Sequence, residues 1–251
     1  MVRLPRMLSS ASQIKKEQLW LPPLAPQLPL AIPVPLGQGV PDNSYPCVWS
    51  VYPWIEGENA TAKCISNFHS TAEVLGRFVF TLRQIDCTHG PAAGEHNFFR
   101  GVPLIELDSK VRTALKSLQG TIDIPAATNA WETTLSVPAW KERPTWIHGD
   151  LHVGNLLARN GQLSAVIDFG GLGVGDPACD IMAAWTYFNS ETRGTFREAV
   201  KVDDATWVRG RGWALYFGLV ALPYYQNSNP GLADIARRTI AEVLGDTYAH
   251  N

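Results

Sequence analysis

The spacing of apolar positions changes along the chain, and the changes predict its elements. Residues 1–6 read as the end of a strand. Ser12 then precedes Gln13–Leu21, where Ile14, Leu19, Trp20 and Leu21 fall at helical spacing, and Pro22 and Pro23 are expected to stop the helix. The proline-rich stretch up to Pro46 predicts extended or turn-like chain, because proline fixes φ and carries no N–H. Val48–Ile55, rich in β-branched and aromatic residues, predicts a strand ended by Gly57, with a polar turn after it. Ser70–Ile85 sets Val74, Leu75, Phe78 and Leu82 on one helical face. Residues 86–103 predict a long loop, Leu107–Leu118 a helix, and Gly120–Thr128 a break before a weakly helical stretch up to Pro138.

From Thr145 the texture changes. The short apolar runs Leu156–Ala158 and Leu163–Ile167 flank Arg159-Asn-Gly-Gln162, which predicts a hairpin with an Asn-Gly turn. Beyond Asp176-Pro177 helices are expected over Cys179–Phe188, 193–200, Ala205–Tyr224 and Leu232–Tyr248. Asp176 suits a helix cap and Pro177 the first helical position. No internal repeat or low-complexity tract interrupts this order.

Composition narrows the functional classes. The 251 residues suffice for one large domain or two small lobes. A net charge of −2 without a basic stripe argues against nucleic acid as a partner. Cys47, Cys64, Cys87 and Cys179 are scattered, with neither C-x-x-C pairs nor zinc-like spacing, so free thiols in a cytoplasmic protein are expected. No apolar run reaches the roughly eighteen residues of a membrane span, and residues 1–30 lack a signal-peptide pattern.

The candidate chemistry lies between residues 148 and 180. Asp150 sits beside Gly149 on a tight loop, Asn155 follows five residues later, and Asp168 ends the second hairpin strand. A hairpin brings the residue before its first strand close to the residue after its second, so these three side chains can converge. An Asp carboxylate and an Asn amide oxygen are hard ligands suited to Mg²⁺. A second Asp can take the proton of an attacking hydroxyl, which completes a template for phosphoryl transfer. Taken singly, Asn155 and Asp168 also suit turns. His148 and His152, four apart, raise a zinc-hydrolase reading, but Gly149 opposes a helix there and no Glu follows His148.

The segment His148-Gly-Asp-Leu-His-Val-Gly-Asn155 resembles the catalytic loop of the aminoglycoside phosphotransferase and choline kinase group, distant relatives of protein kinases. Ile167-Asp-Phe-Gly170 resembles the metal-binding Asp-Phe-Gly, and Gly175-Asp-Pro-Ala-Cys-Asp-Ile181 the segment that follows it in the family. The resemblance implies an α+β, protein-kinase-like, two-lobed fold. A shortened small β lobe would occupy residues 1–56, as strand, helix and hinge strand, and a mainly helical lobe residues 57–251. It implies an enzyme that moves the γ-phosphate of ATP to a hydroxyl of a small molecule, such as an aminoglycoside-like antibiotic, a sugar or a metabolite. Asp150 would be the catalytic base, Asn155 and Asp168 the Mg²⁺ ligands, and His148 and Asp180 structural.

In the same resemblance Arg3 aligns with the phosphate-binding basic position, where Lys is usual, and Glu17 with its helix partner. Tyr52, Trp54 and Ile55 fall on the hinge that contacts adenine, where Pro53 offers only a carbonyl. The family's first two strands and the loop between them have no counterpart here. A small sheet so shortened would expose an edge, which invites a homodimer by strand pairing. A non-catalytic, kinase-like binding protein or an inactive fragment is the alternative expectation. For the acceptor, the C-terminal helices offer Trp185, Tyr187, Trp207, Trp213, Tyr216, Phe217, Tyr224 and Tyr225, most of them read as core. Glu191, Glu198, Asp203 and Asp204 are the carboxylates a cationic acceptor would need, and they read equally as solvated surface charge.

Overall fold

The computed structural model describes residues 1–5 and 11–248. The strand end expected over residues 1–6 is present as β1 (Val2–Arg3), while Arg6 lies outside the described residues. Helix α1 (Ala11–Leu24) continues through Pro22 and Pro23 instead of stopping before them. Proline already has a helical φ, and with Pro22 and Pro23 in the last turn the lost N–H donors and the crowding of the preceding carbonyls are confined to the helix end, which passes into a short 3-10 turn at Ala25–Gln27.

Strands β2 (Gly37–Gly39) and β3 (Trp49–Val51) complete an antiparallel sheet in the order β1-β3-β2, which leaves β1 at one edge. The strand expected over Val48–Ile55 is therefore shorter. Tyr52 still donates its N–H to the Met1 carbonyl at 2.8 Å, and Pro53, with no N–H, ends the ladder. Helix α1 lies against this sheet, where Gln18 Nε2 donates to the Trp49 carbonyl at 3.2 Å and to Ser50 Oγ at 2.7 Å.

Past Gly57, the expected polar turn is instead β4 (Glu58–Asn59), which pairs with a strand a hundred residues later. Helix α2 (Phe68–Gln84) starts at Asn67, whose side chain accepts the Ser70 N–H, and buries Ala72, Leu75, Phe78, Val79 and Leu82. The loop over 86–103 holds a bridge from Ala92 to Val174 and a 3-10 turn at Glu95–Asn97, and a second 3-10 turn at Leu104–Leu107 leads into α3 (Asp108–Ser117). Helix α4 (Ile124–Ser136) begins inside the expected break, because Asp123 caps it through the Ala126 N–H and Pro125 sits in its first turn.

The hairpin packs against α2. Strand β5 (Thr145–Ile147) precedes β6 (Leu156–Arg159) and β7 (Gln162–Val166). The turn between β6 and β7 has Asn160 and Gly161 at φ 53° and 80°, the two positive values that a type I′ turn demands. Strand β8 (Gly173–Gly175) pairs with β5, and α5 (Ala178–Ile181) and α6 (Ala183–Thr186) divide the helix expected over Cys179–Phe188. Helices α7 (Ser190–Val200), α8 (Asp204–Tyr225) and α9 (Pro230–Tyr248) finish the chain.

Asp176 accepts the Ala178 N–H at 2.9 Å, as expected of a cap, and its carboxylate also pairs with Arg209 of α8 at 2.8 Å. Helix α8 passes close to its neighbours at Gly210 and Gly218. A Cβ there would lie 2.5 Å from Ile181 and 2.7 Å from Ile240. The core is continuous through Trp131, Trp146, Trp185, Trp213, Phe188 and Phe196. No helix among the described residues is long and apolar enough to cross a membrane.

Candidate active site

The loop after β5 is held from behind. The buried Asp180 carboxylate of α5 accepts the His148 N–H and the Gly149 N–H, each at 2.7 Å. Gly149 has φ 84°, and a Cβ on it would stand 2.7 Å from the Gly171 carbonyl, so only glycine fits the turn. His148 is fully buried. Its Nδ1 accepts the Asp150 N–H at 3.2 Å, which leaves Nε2 to donate to the Ile167 carbonyl at 3.0 Å. His152 Nδ1 accepts the Gly154 N–H, its Nε2 lies 3.4 Å from Asp150 Oδ2, and its ring stacks on Phe217. Both rings thus tie the loop together instead of facing one open point, as zinc ligands would.

Of the three residues singled out for phosphoryl transfer, Asp150 and Asn155 meet directly, and Asp168 lines the same cavity as Asp150. The Ile167 N–H donates to the Asn155 carbonyl at 2.9 Å, closing the hairpin as its geometry predicts. Asn155 Nδ2 donates to the Asp150 carbonyl at 2.9 Å and to Asp150 Oδ2 at 3.1 Å. Its amide oxygen is therefore the atom turned away from the base. Asp168 takes up the left-handed region at φ 59°, ψ 75°, a conformation costing roughly 1–3 kcal/mol for most residues and less for Asp. Its carboxylate is half exposed, accepts the Gly170 N–H at 3.3 Å and lies 3.6 Å from Arg3. An exposed carboxylate and a free amide oxygen on one loop system form a donor set that fits a hard, oxygen-seeking cation such as Mg²⁺.

Arg3 clasps Glu17 with two hydrogen bonds from Nη1, at 2.7 and 2.9 Å, and Tyr52 Oη donates to the same carboxylate. Burial pushes Glu17 up, and Arg3 and Tyr52 hold it back. Two cavities meet at Arg3 and Asp168, which line both. One, of about 570 Å³, runs along the hinge past Tyr52, Trp54, Ile55 and Leu157. The other, of about 510 Å³, contains Asp150 and His152 and is walled by α8. Burial would raise the Asp150 carboxyl, but the hydrogen bond of His152 and the charge of Arg100 outweigh it and hold the group well below the usual carboxylate range.

Three contributors carried no signal in the sequence. Arg100 Nη2 stands 3.6 Å from Asp150, Phe98 lines the same cavity, and Lys16 ties α1 to the segment after Asp168. The Lys16 ammonium donates to the Gly170 carbonyl at 2.9 Å and the His96 carbonyl at 3.2 Å. Burial lowers its pKa from 10.5 to about 8, against the pull of Glu17. The folded pKa is below the unfolded one, so between these values the unfolded chain holds more protons and stability from this site rises with pH. Relative to Lys16→Met, the wild type should gain up to about 3 kcal/mol between pH 8 and 10.5 in urea unfolding. A difference that stays flat with pH would mean the amine is solvated.

Of the carboxylates considered for a cationic acceptor, none lines the second cavity. Asp203 caps α8 through the Thr206 N–H and Asp204 pairs with Arg197, while Glu191 and Glu198 belong to α7. Of the aromatic candidates, Trp185 and Trp213 are core, whereas Tyr216, Phe217, Tyr224 and Tyr225 line the cavity.

Residues 1–213 match the phosphotransferase enzyme family. No curated protein matches the chain in sequence. Among solved structures, the chain is similar to the GDP and kanamycin complex of an APH(2″) enzyme, at 17% identity and a TM-score of 0.67, over 100% of this chain and 86% of that one. It is similar to a streptomycin and ATP complex of APH(2″)-IIa, at 20% identity and a TM-score of 0.61, over 95% and 85% of the two chains. It is also similar to the macrolide 2′-phosphotransferase MphH of Brachybacterium faecium, at 21% identity and a TM-score of 0.58, over 95% and 82%. These likenesses agree with the kinase-like, two-lobed α+β fold.

Proposed function

The chain belongs to the phosphotransferase enzyme family, and from that premise we propose that it transfers the γ-phosphate of ATP to a hydroxyl group of a small molecule. The observation that carries this reading is that Asp150, hydrogen-bonded to Asn155, shares one cavity with Asp168, which also lines a second cavity along the hinge. Residues 1–56 would act as the nucleotide-side lobe and 57–251 as the acceptor-side lobe, a division supported by the pairing of Glu58 with Ala158.

In this reading the adenine ring lies in the hinge cavity beside Tyr52, Trp54 and Ile55. Arg3, oriented by Glu17, would turn its Nη2, which stands 3.6 Å from Asp168, toward the phosphates. As a planar fork held by a buried carboxylate, it can fix a phosphate oxygen in direction as well as by charge. Asn155 and Asp168 would hold Mg²⁺, which when bound offsets charge on the β- and γ-phosphate oxygens. Asp150 is ionised throughout the neutral range, so it accepts the hydrogen bond of the acceptor hydroxyl and orients its oxygen in line. As the new O–P bond forms and the bond from the γ-phosphorus to the bridging oxygen breaks, the hydroxyl proton passes to Asp150 and ADP leaves.

Calorimetric titration of the full chain with Mg-ATP tests the first requirement. Binding in the micromolar range, weakened at least ten-fold when Mg²⁺ is chelated, is expected. A silent titration of a folded protein would exclude phosphoryl transfer and leave a kinase-like binding protein.

A further inference from the structure

The acceptor cavity has an unusual balance of charge and apolar surface. Helix α8 presents Tyr216, Phe217, Tyr224 and Tyr225 to it along one stripe. Across from them Phe98 is 58% exposed and held at φ 59°, next to Phe99 at φ 60°. Two successive aromatic residues in the left-handed region cost of order 1–3 kcal/mol each, and such strain persists where surrounding structure imposes it, often at ligand clamps. Tyr224 is 75% exposed on the same cavity. Large aromatic faces left open around a concave site favour a ligand that buries rings against them.

Charge points the same way. The only carboxylates lining the cavity among the described residues are Asp150 and Asp168, and each already faces an arginine at 3.6 Å, Arg100 and Arg3 respectively. No carboxylate remains to receive an ammonium group. Arg100 also lies over the Tyr216 ring, 5.9 Å from its centroid, and its Nη1 is buried without a hydrogen-bond partner. An ammonium entering here would lose water beside a fixed positive charge, whereas an ether, carbonyl or carboxylate oxygen would gain a donor.

We propose that the acceptor is an apolar, ring-bearing alcohol without an ammonium group, its rings held between Phe98 and the α8 aromatic stripe and an oxygen substituent held by Arg100. This rests on the phosphotransfer reading for the word acceptor, but the cavity's preference is measurable without turnover. Naphthylethanol and its β-amino derivative share a ring and a hydroxyl and differ by one ammonium. They would be titrated into the full chain at neutral pH alongside kanamycin, with Mg-ATP binding recorded separately.

The wild type is expected to bind naphthylethanol at least ten-fold more tightly than the amino derivative, about 1.4 kcal/mol, and kanamycin more weakly still. Arg100→Lys should keep most of that ratio, and Arg100→Gln should compress it below about three-fold. Retained Mg-ATP binding checks that each variant is folded. If the amino derivative or kanamycin binds the wild type as tightly as the neutral alcohol, the proposal is overturned. If none of the three binds to a protein that binds Mg-ATP, it is overturned as well, with the phosphotransfer reading intact. Silence toward Mg-ATP with naphthylethanol bound in preference would do the reverse: the phosphotransfer reading falls and the cavity's preference stands.

Discussion

Replacing Asp150 with Asn is expected to lower ATP consumption with a turned-over acceptor by about 10²–10⁴-fold, the range typical of removing a positioned base. The substitution preserves shape, and an amide oxygen can still accept from Asn155 Nδ2, which now meets Asp150 Oδ2 at 3.1 Å. The fold should therefore survive, and the KM for Mg-ATP should change little while kcat collapses. Asp168→Asn should act differently. It removes a carboxylate at the junction of both cavities and leaves Arg3 without the charge now 3.6 Å away, so the KM for Mg-ATP and the Mg²⁺ requirement should both rise as turnover falls. Unchanged turnover in either variant would sink the mechanism.

A pH profile adds an independent check. The folded Asp150 carboxyl sits below its ordinary value, so its ionised form persists above the unfolded pKa, near 3.9, and is lost only as pH falls through the lower folded value. From pH 5 to 7, kcat should show no acid limb that disappears in the Asp150→Asn variant.

The site was more legible than the surface it serves, and the reasons are physical. Asp150, Asn155 and Asp168 are placed by a hairpin whose Asn160-Gly161 turn needs two positive φ values, and that requirement is written in local residues. Arg3 and Glu17 could be found only through resemblance, since nothing local in Val2-Arg3-Leu4 marks a phosphate ligand. Arg100 and Phe98 lie in a loop without periodicity, and Arg100 is positioned against Gly149, far along the chain. Helix α8 is apolar on nearly every side, so its pattern cannot separate the face that meets the core from the face that lines the cavity. The misplaced boundaries have similar causes. Pro22 and Pro23 read as a stop but only thin the last turn of α1, and Glu58–Asn59 read as a turn because their partner strand is far along the chain.

Asp180→Ala is expected to destabilise the protein by about 3–5 kcal/mol, the second large effect. The carboxylate is buried and accepts the N–H groups of His148 and Gly149, both inside the core side of the loop. Burial pushes its pKa up, and these two hydrogen bonds resist that rise. Alanine would leave two buried donors unpaired, each costing about 1–3 kcal/mol, and would add a small cavity behind Gly149. Asp180→Asn retains one acceptor but turns an amide N–H₂ toward a backbone donor, so it should cost about half as much. Because Asp180 touches neither cavity, its effect on turnover must pass through the position of Asp150. At a temperature where Asp180→Asn is fully folded, kcat should fall by more than Mg-ATP affinity does, since the hinge and Arg3 are held by other contacts. Equal losses in both would mean that the loop carries the nucleotide as well as the base, and an unfolding midpoint unchanged in Asp180→Ala would mean that water replaces the carboxylate on those two donors.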